Sequence, residues 1–137
     1  MKKIIFFIIA IVMVMVASIA YYQFTKTHAD TADLEAVAQL SSSQLFEEFS
    51  KNEKLASERY VGKIIEVNGR IFSIVEGEND DLEILLVAEG EMFGVVCSLE
   101  KNDESLALNE GQEITIKGEC SGILSDVILI RCIIKNA

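Results

Sequence analysis

The stretch from Gly111 to Ile134 constrains this chain more than any other. It holds two apolar runs separated by Ser121-Gly122-Ile123-Leu124-Ser125-Asp126. In the first run Ile114, Ile116, Gly118 and Cys120 alternate with Glu113, Thr115, Lys117 and Glu119. That is the period of two expected of a strand with one buried and one wet face. The second run, Val127-Ile128-Leu129-Ile130-Arg131-Cys132-Ile133-Ile134, is almost wholly apolar and predicts a strand covered on both faces. Such a hairpin needs a sheet that closes around it.

Three earlier segments supply that sheet. Ile64 to Val75 is a long strand in which Ile65, Val67, Gly69 and Ile71 share a face; the phase then slips, and Phe72 and Ile74 take that face over. A slip beside Gly69 predicts a bulge or bend that lets one strand serve two sides of a barrel. Leu82 to Ala88 follows, then a strand in which Phe93, Val95, Cys97 and Leu99 alternate. Lys101 to Asn109 is polar around Leu106, Ala107 and Leu108 and reads as a short helix capped by Asn102 or Asp103.

Ahead of the strands, Ser41-Ser42-Ser43 is a helix-start signal, because a hydroxyl can accept from exposed backbone N–H groups. Ser43 with Glu47, or Ser42 with Phe46, gives no full capping box. Leu45, Phe46 and Phe49 form an apolar stripe at helical spacing, and Asn52 can cap a second turn carrying Leu55, Ala56 and Tyr60. That face is expected to pack on the barrel.

The predicted fold is all-β: a five-stranded OB-fold Greek-key barrel with a leading α-helix and an N-terminal transmembrane helix. Tyr60 to Gly69 resembles the opening strand of the bacterial tRNA_anti-like OB-fold family. Gly111 to Gly122 and Asp126 to Cys132 resemble its closing strands. The resemblance runs from about Ser41 to Lys135. It implies an OB barrel related to nucleic-acid-binding domains, often anchored or exported, and it transfers no site residue by residue.

Lys2 and Lys3 precede an uncharged run from Ile4 to Tyr22. As a helix this run spans about 28 Å, close to the ~30 Å hydrocarbon core of a bilayer. The lysines favour the cytoplasmic side, so the rest is expected outside, with Tyr21 and Tyr22 at the boundary. This places the chain in the bacterial inner membrane as a single-pass protein, its domain on the periplasmic or extracellular side. The alternative is secretion after cleavage near Ala20, where Ser18-Ile19-Ala20 offers small residues. The expected division is 1–22 as signal-anchor helix, 23–40 as polar linker and 41–137 as helix plus barrel. The single histidine, His28, falls in the linker and reads as a surface residue.

After Tyr22 come 10 basic and 22 acidic residues, a net charge of −12. Such a surface repels phosphate backbones. Arg70, Lys117 and Arg131 read as isolated cations, and alternation turns Phe72 and Phe93 inward. A basic groove lined with stacking rings is therefore not expected, and charge alone speaks against nucleic acid as a partner.

Cys97, Cys120 and Cys132 sit in strands or at strand ends, and period two turns Cys97 and Cys120 inward. Outside the cytoplasm disulfides persist. Three pairings are open, each leaving one thiol over. Closing a barrel of this kind sets the third strand beside the fifth, which favours Cys97 with Cys132; Cys120 with Cys132 competes, and three buried thiols are the other outcome. The turn Glu76, Glu78, Asp80, Asp81, Glu83 lacks the order of a calcium loop and reads as solvated. There is no Cys-x-x-Cys, no Gly-x-Ser-x-Gly and no phosphate loop, so no enzyme, cofactor or metal is expected. The expectation is a non-catalytic binding or interaction module, with a protein partner in the cell envelope; a binder of oligosaccharide, peptide or cation is the alternative, and single-stranded nucleic acid comes third.

Overall fold

The computed structural model describes residues 2–25, 31–77, 81–87 and 90–136. His28, Glu78, Asp80 and Glu89 lie outside the described residues. The chain divides into two compact units, Met1–Asp30 and Thr31–Ala137.

The first unit contains α1 (Lys2–Thr25). Within it Lys3–Tyr21 is long and apolar enough to cross a membrane, and none of it is buried by protein. A signal sequence meets the same criteria.

The second unit runs β1 (Gln39–Ser41), α2 (Ser42–Lys51), α3 (Glu53–Tyr60), β2 (Ile64–Glu76), β3 (Asp81–Val87), β4 (Val95–Glu100), α4 (Asp103–Leu106), β5 (Glu113–Ile123) and β6 (Val127–Asn136). The sheet order is β1-β2-β3-β4-β6-β5, and β5 returns to pair with β2. Strands β2 to β6 therefore close a five-stranded barrel. Strands β4 and β6 run parallel, and the other barrel neighbours are antiparallel. This is the OB arrangement.

The closure depends on β2. Its first half, Ile64 to Arg70, pairs with β5. Its second half, Arg70 to Glu76, pairs with β3. Early in the second half the register slips at Ile71/Ser73. The expected bend is there, but its effect on Phe72 is the reverse of the expectation. The extra residue of the bulge turns outward, and Phe72 is 64% exposed, while Ile74 stays against the core. Phe93 is not inward either. It precedes β4, is 48% exposed and stacks on Phe46 with ring centroids 6.4 Å apart.

Helix α2 covers the barrel core with Leu45 and Phe49, both fully buried. Its start is a complete capping box one residue earlier than the expected candidates. Ser41 Oγ accepts from Gln44 N, and Gln44 Oε1 accepts from Ser41 N, each at 3.1 Å. Asn52 caps α3 as expected, with Oδ1 accepting from Leu55 N at 3.1 Å. Tyr60 closes α3 onto α2, its hydroxyl donating to Glu48 Oε2 at 2.9 Å. Asn102 caps α4 through Ser105 N.

The compact unit begins at Thr31, inside the segment whose polarity reads as linker. Val37 N donates to Ile64 O at 2.8 Å, and Glu66 N donates to Ala38 O at 2.9 Å. Strand β1 continues this contact as a parallel neighbour of β2. Lys117, expected as an exposed cation, is 5% exposed, and its Nζ donates to Ala32 O at 3.2 Å.

Candidate interaction face

The outside of the barrel is not uniform. On β5 the outward positions Glu113, Thr115, Lys117 and Glu119 are polar, as the period-two pattern requires. On β3, β4 and β6 the outward positions are different. Ser73 stands opposite Leu85, Leu85 opposite Val96, and Val96 opposite Ile128. The last three form an aliphatic row across three strands, each half-buried. They lie outside the core cluster, whose members from these strands are Ile84, Leu86, Val95, Cys97, Leu99, Val127, Leu129 and Cys132. Strand β6 is therefore covered on its inner face and only partly on its outer one, where its composition predicts cover on both. Its outer side chains, Ile128 and Ile130, keep partial exposure.

Exposed Phe72 and Val75, the latter 56% exposed, flank this row on β2. Beyond the row, at one barrel end, Gly94 N donates to Asp126 Oδ1 at 2.7 Å and joins the loop before β4 to the β5–β6 turn. Met92 and Leu124, in those two segments, are each 84% exposed.

Toward the opposite end the same face becomes acidic. Glu83 stands between Val75 and Ser98, and Asp81 opposite Glu100. Near that end Lys101 is engaged by Glu76 at 2.7 Å. Its hydrogen bond and charge hold the Glu76 carboxyl below the usual carboxylate range. Strand geometry puts about 13 Å between the Leu85 and Asp81 positions, four residues apart. The face thus grades from aliphatic to acidic along its length.

A groove of about 470 Å³ opens between the start of α2 and the middle of β2, lined among others by Ser42, Arg70, Phe72, Glu91 and Glu113. Gly69 lets α2 come this close, because a Cβ there would lie 2.8 Å from Ser42 Oγ. Arg70 pairs with Glu113 at 3.8 Å, and Arg131 forms an ion pair with Glu119. With Lys117 held by Ala32, all three cations that read as isolated in the sequence are engaged.

The cysteines face the core. Cys97 and Cys120 are fully buried and Cys132 is 5% exposed. All three are thiols here. The third and fifth barrel strands are neighbours: Cys97 stands opposite Leu129, and Leu99 opposite Cys132. The Cys97 thiol neighbours that of Cys132, and burial pushes the Cys132 thiol well up. Burial also pushes Cys120 up. Cys120 stands opposite Leu129 across the hairpin, not opposite Cys132. Among the described residues no group of three or more His, Cys, Asp or Glu side chains could hold a metal ion.

The barrel and its capping helix define an OB-fold protein. The chain belongs to the tRNA_anti-like family, whose profile matches residues 1–134. No curated protein matches it. Among solved structures, it is similar to a lipoprotein from Klebsiella pneumoniae that is provisionally described as nucleic acid-binding. The two share 19% identity with a TM-score of 0.60, covering 72% of this chain and 91% of the other. At that identity the likeness speaks for the fold alone.

Proposed function

We propose that this protein is a membrane-anchored interaction module that acts without catalysis and binds another protein of the cell envelope. Helix α1 is read as an uncleaved single-pass anchor in the bacterial inner membrane, with the barrel on the periplasmic or extracellular side. Lys2 and Lys3 ahead of the apolar run support that orientation.

The observation that carries the reading is the aliphatic row Leu85, Val96 and Ile128 on an outer sheet face that ends in carboxylates. Contiguous apolar surface rimmed by polar groups marks interaction sites. Charge argues against the role given to the Klebsiella lipoprotein. With −12 after Tyr22, phosphate backbones meet repulsion where an OB groove for single strands would supply lysine and arginine. A second reading, a small-ligand binder, draws support from the groove of about 470 Å³ beside Phe72.

Photo-crosslinking in intact cells tests the proposal. A photoreactive side chain placed at Ser98 is expected to yield a small set of protein adducts identified by mass spectrometry, and the same group at Thr115 is expected to yield none of them. Identical adducts at both positions, or adducts to nucleic acid, would overturn it.

A further inference from the structure

We propose that the outer face of β3, β4 and β6 docks a polypeptide segment that carries aliphatic side chains at one end and lysine or arginine about 13 Å further along, the spacing set by strand rise. This rests on the interaction function above and names the chemistry of its partner. Leu85, Val96 and Ile128 are adjacent in register across three strands. Glu83 lies two register pairs away along the same strands, and Asp81 and Glu100 four. Lys101, beside them, forms an ion pair with Glu76. Among the described residues Asp81, Glu83 and Glu100 form no ion pair, so the acidic end carries net negative charge next to apolar surface.

Three other occupants meet that charge unfavourably. A nucleic acid or an anionic lipid surface brings phosphates toward Asp81, Glu83 and Glu100. A second copy of this chain brings the same carboxylates, either against their equivalents or over the aliphatic row. A cationic amphipathic segment instead pairs its charges with the carboxylates and buries its aliphatic end on the row. Electrostatic complementarity of this kind selects partners and sets register.

The test uses the full chain in detergent micelles and two synthetic peptides. One has three leucines followed, after a short spacer, by three lysines; the other has glutamates in place of the lysines. The lysine peptide is expected to shift the methyl resonances of Leu85, Val96 and Ile128. Its dissociation constant is expected to rise about tenfold or more, equivalent to about 1.4 kcal/mol, in the double variant Glu83→Lys, Glu100→Lys. The Val96→Ser variant, with melting temperature checked against the parent, is expected to weaken binding comparably. The glutamate peptide is expected not to bind. Shifts spread over the whole acidic surface, equal affinity in the variants, or tighter binding of a single-stranded oligonucleotide at the same methyls would each overturn the proposal. The two readings fail separately: protein adducts at Ser98 in cells alongside no peptide binding would leave the interaction function standing and remove this partner chemistry.

Discussion

The thiol of Cys132 occupies the space that a side chain on Gly118 would need. A Cβ built on Gly118 meets Cys132 Sγ first and Ile130 O next. The two residues come from adjacent strands of the hairpin that organises the fold, so the absence of a side chain on β5 is matched by one on β6. Gly118→Ala is expected to destabilise the protein by about 1–3 kcal/mol, the usual cost of overpacking a core. Adding Cys132→Ala to that variant is expected to recover part of the loss. A double-mutant cycle from denaturant unfolding measures the coupling, and strict additivity would show that the two positions do not share the space.

The cysteines make a prediction about pH. Folded Cys120 and Cys132 hold their protons more tightly than the unfolded chain, because burial opposes the thiolate. Below the ordinary thiol pKa of about 8.5, that preference stabilises the reduced protein in full. Above it the unfolded chain releases protons first, so stability falls as pH rises. Denaturant midpoints from pH 7 to 10 are expected to decline less in Cys132→Ala than in the parent. Native thiols are also expected to resist alkylation until the chain unfolds.

Pairing is a separate question, settled by protein taken from its own compartment. The expected bridge is Cys97–Cys132, across parallel neighbours β4 and β6, with Cys120 left as a thiol. Thiol counts in unfolded protein before and after reduction read this directly. Equal counts would exclude any bridge, and a Cys120-containing peptide pair would assign it elsewhere.

Helix α2 begins with reciprocal hydrogen bonds between Ser41 and Gln44. Ser41→Ala is expected to cost about 1 kcal/mol. Ser43→Ala, at a position outside the box, is expected to cost much less. Thermal unfolding of the two variants distinguishes them.

Lys117 ties the segment ahead of β1 to the barrel through Ala32 O. Lys117→Ala is expected to weaken that attachment by about 1.5–3 kcal/mol, typical of a hydrogen bond to a charged group. The readout is local: hydrogen exchange at Val37 N, which donates to Ile64 O, is expected to accelerate while amides of β4 keep their protection.

Much of this architecture is legible in the residues. Alternation in Glu113–Cys120 assigns both faces of β5, and the five-strand order puts the strand of Cys97 beside that of Cys132. Phe72 is different. Period two reveals that a residue is inserted, but not which residue of the bulge is expelled, so the ring goes outward instead of inward. Ser41 was findable, since Gln44 stands at capping-box spacing from it, yet three consecutive serines compete as caps on local chemistry. Lys117 was not findable from its own strand, because the carbonyl that receives it is 85 positions away. The candidate face was visible as apolar letters on β6. An apolar run looks the same whether protein covers its second side or a partner does.

Strand β2 also sets the order of events when the barrel assembles. Its first half meets β5 in contacts such as Asn68 Nδ2 to Ile114 O, separated by 46 positions in the chain. Its second half meets β3 across a short connection. The local meander can therefore nucleate early, while the seam waits for a loop closure that is entropically dear. During synthesis the N-terminal half of β2 leaves the ribosome with an unpaired edge and keeps it until β5 follows. In that interval β1, arriving first and in parallel, can shield part of the opposite edge.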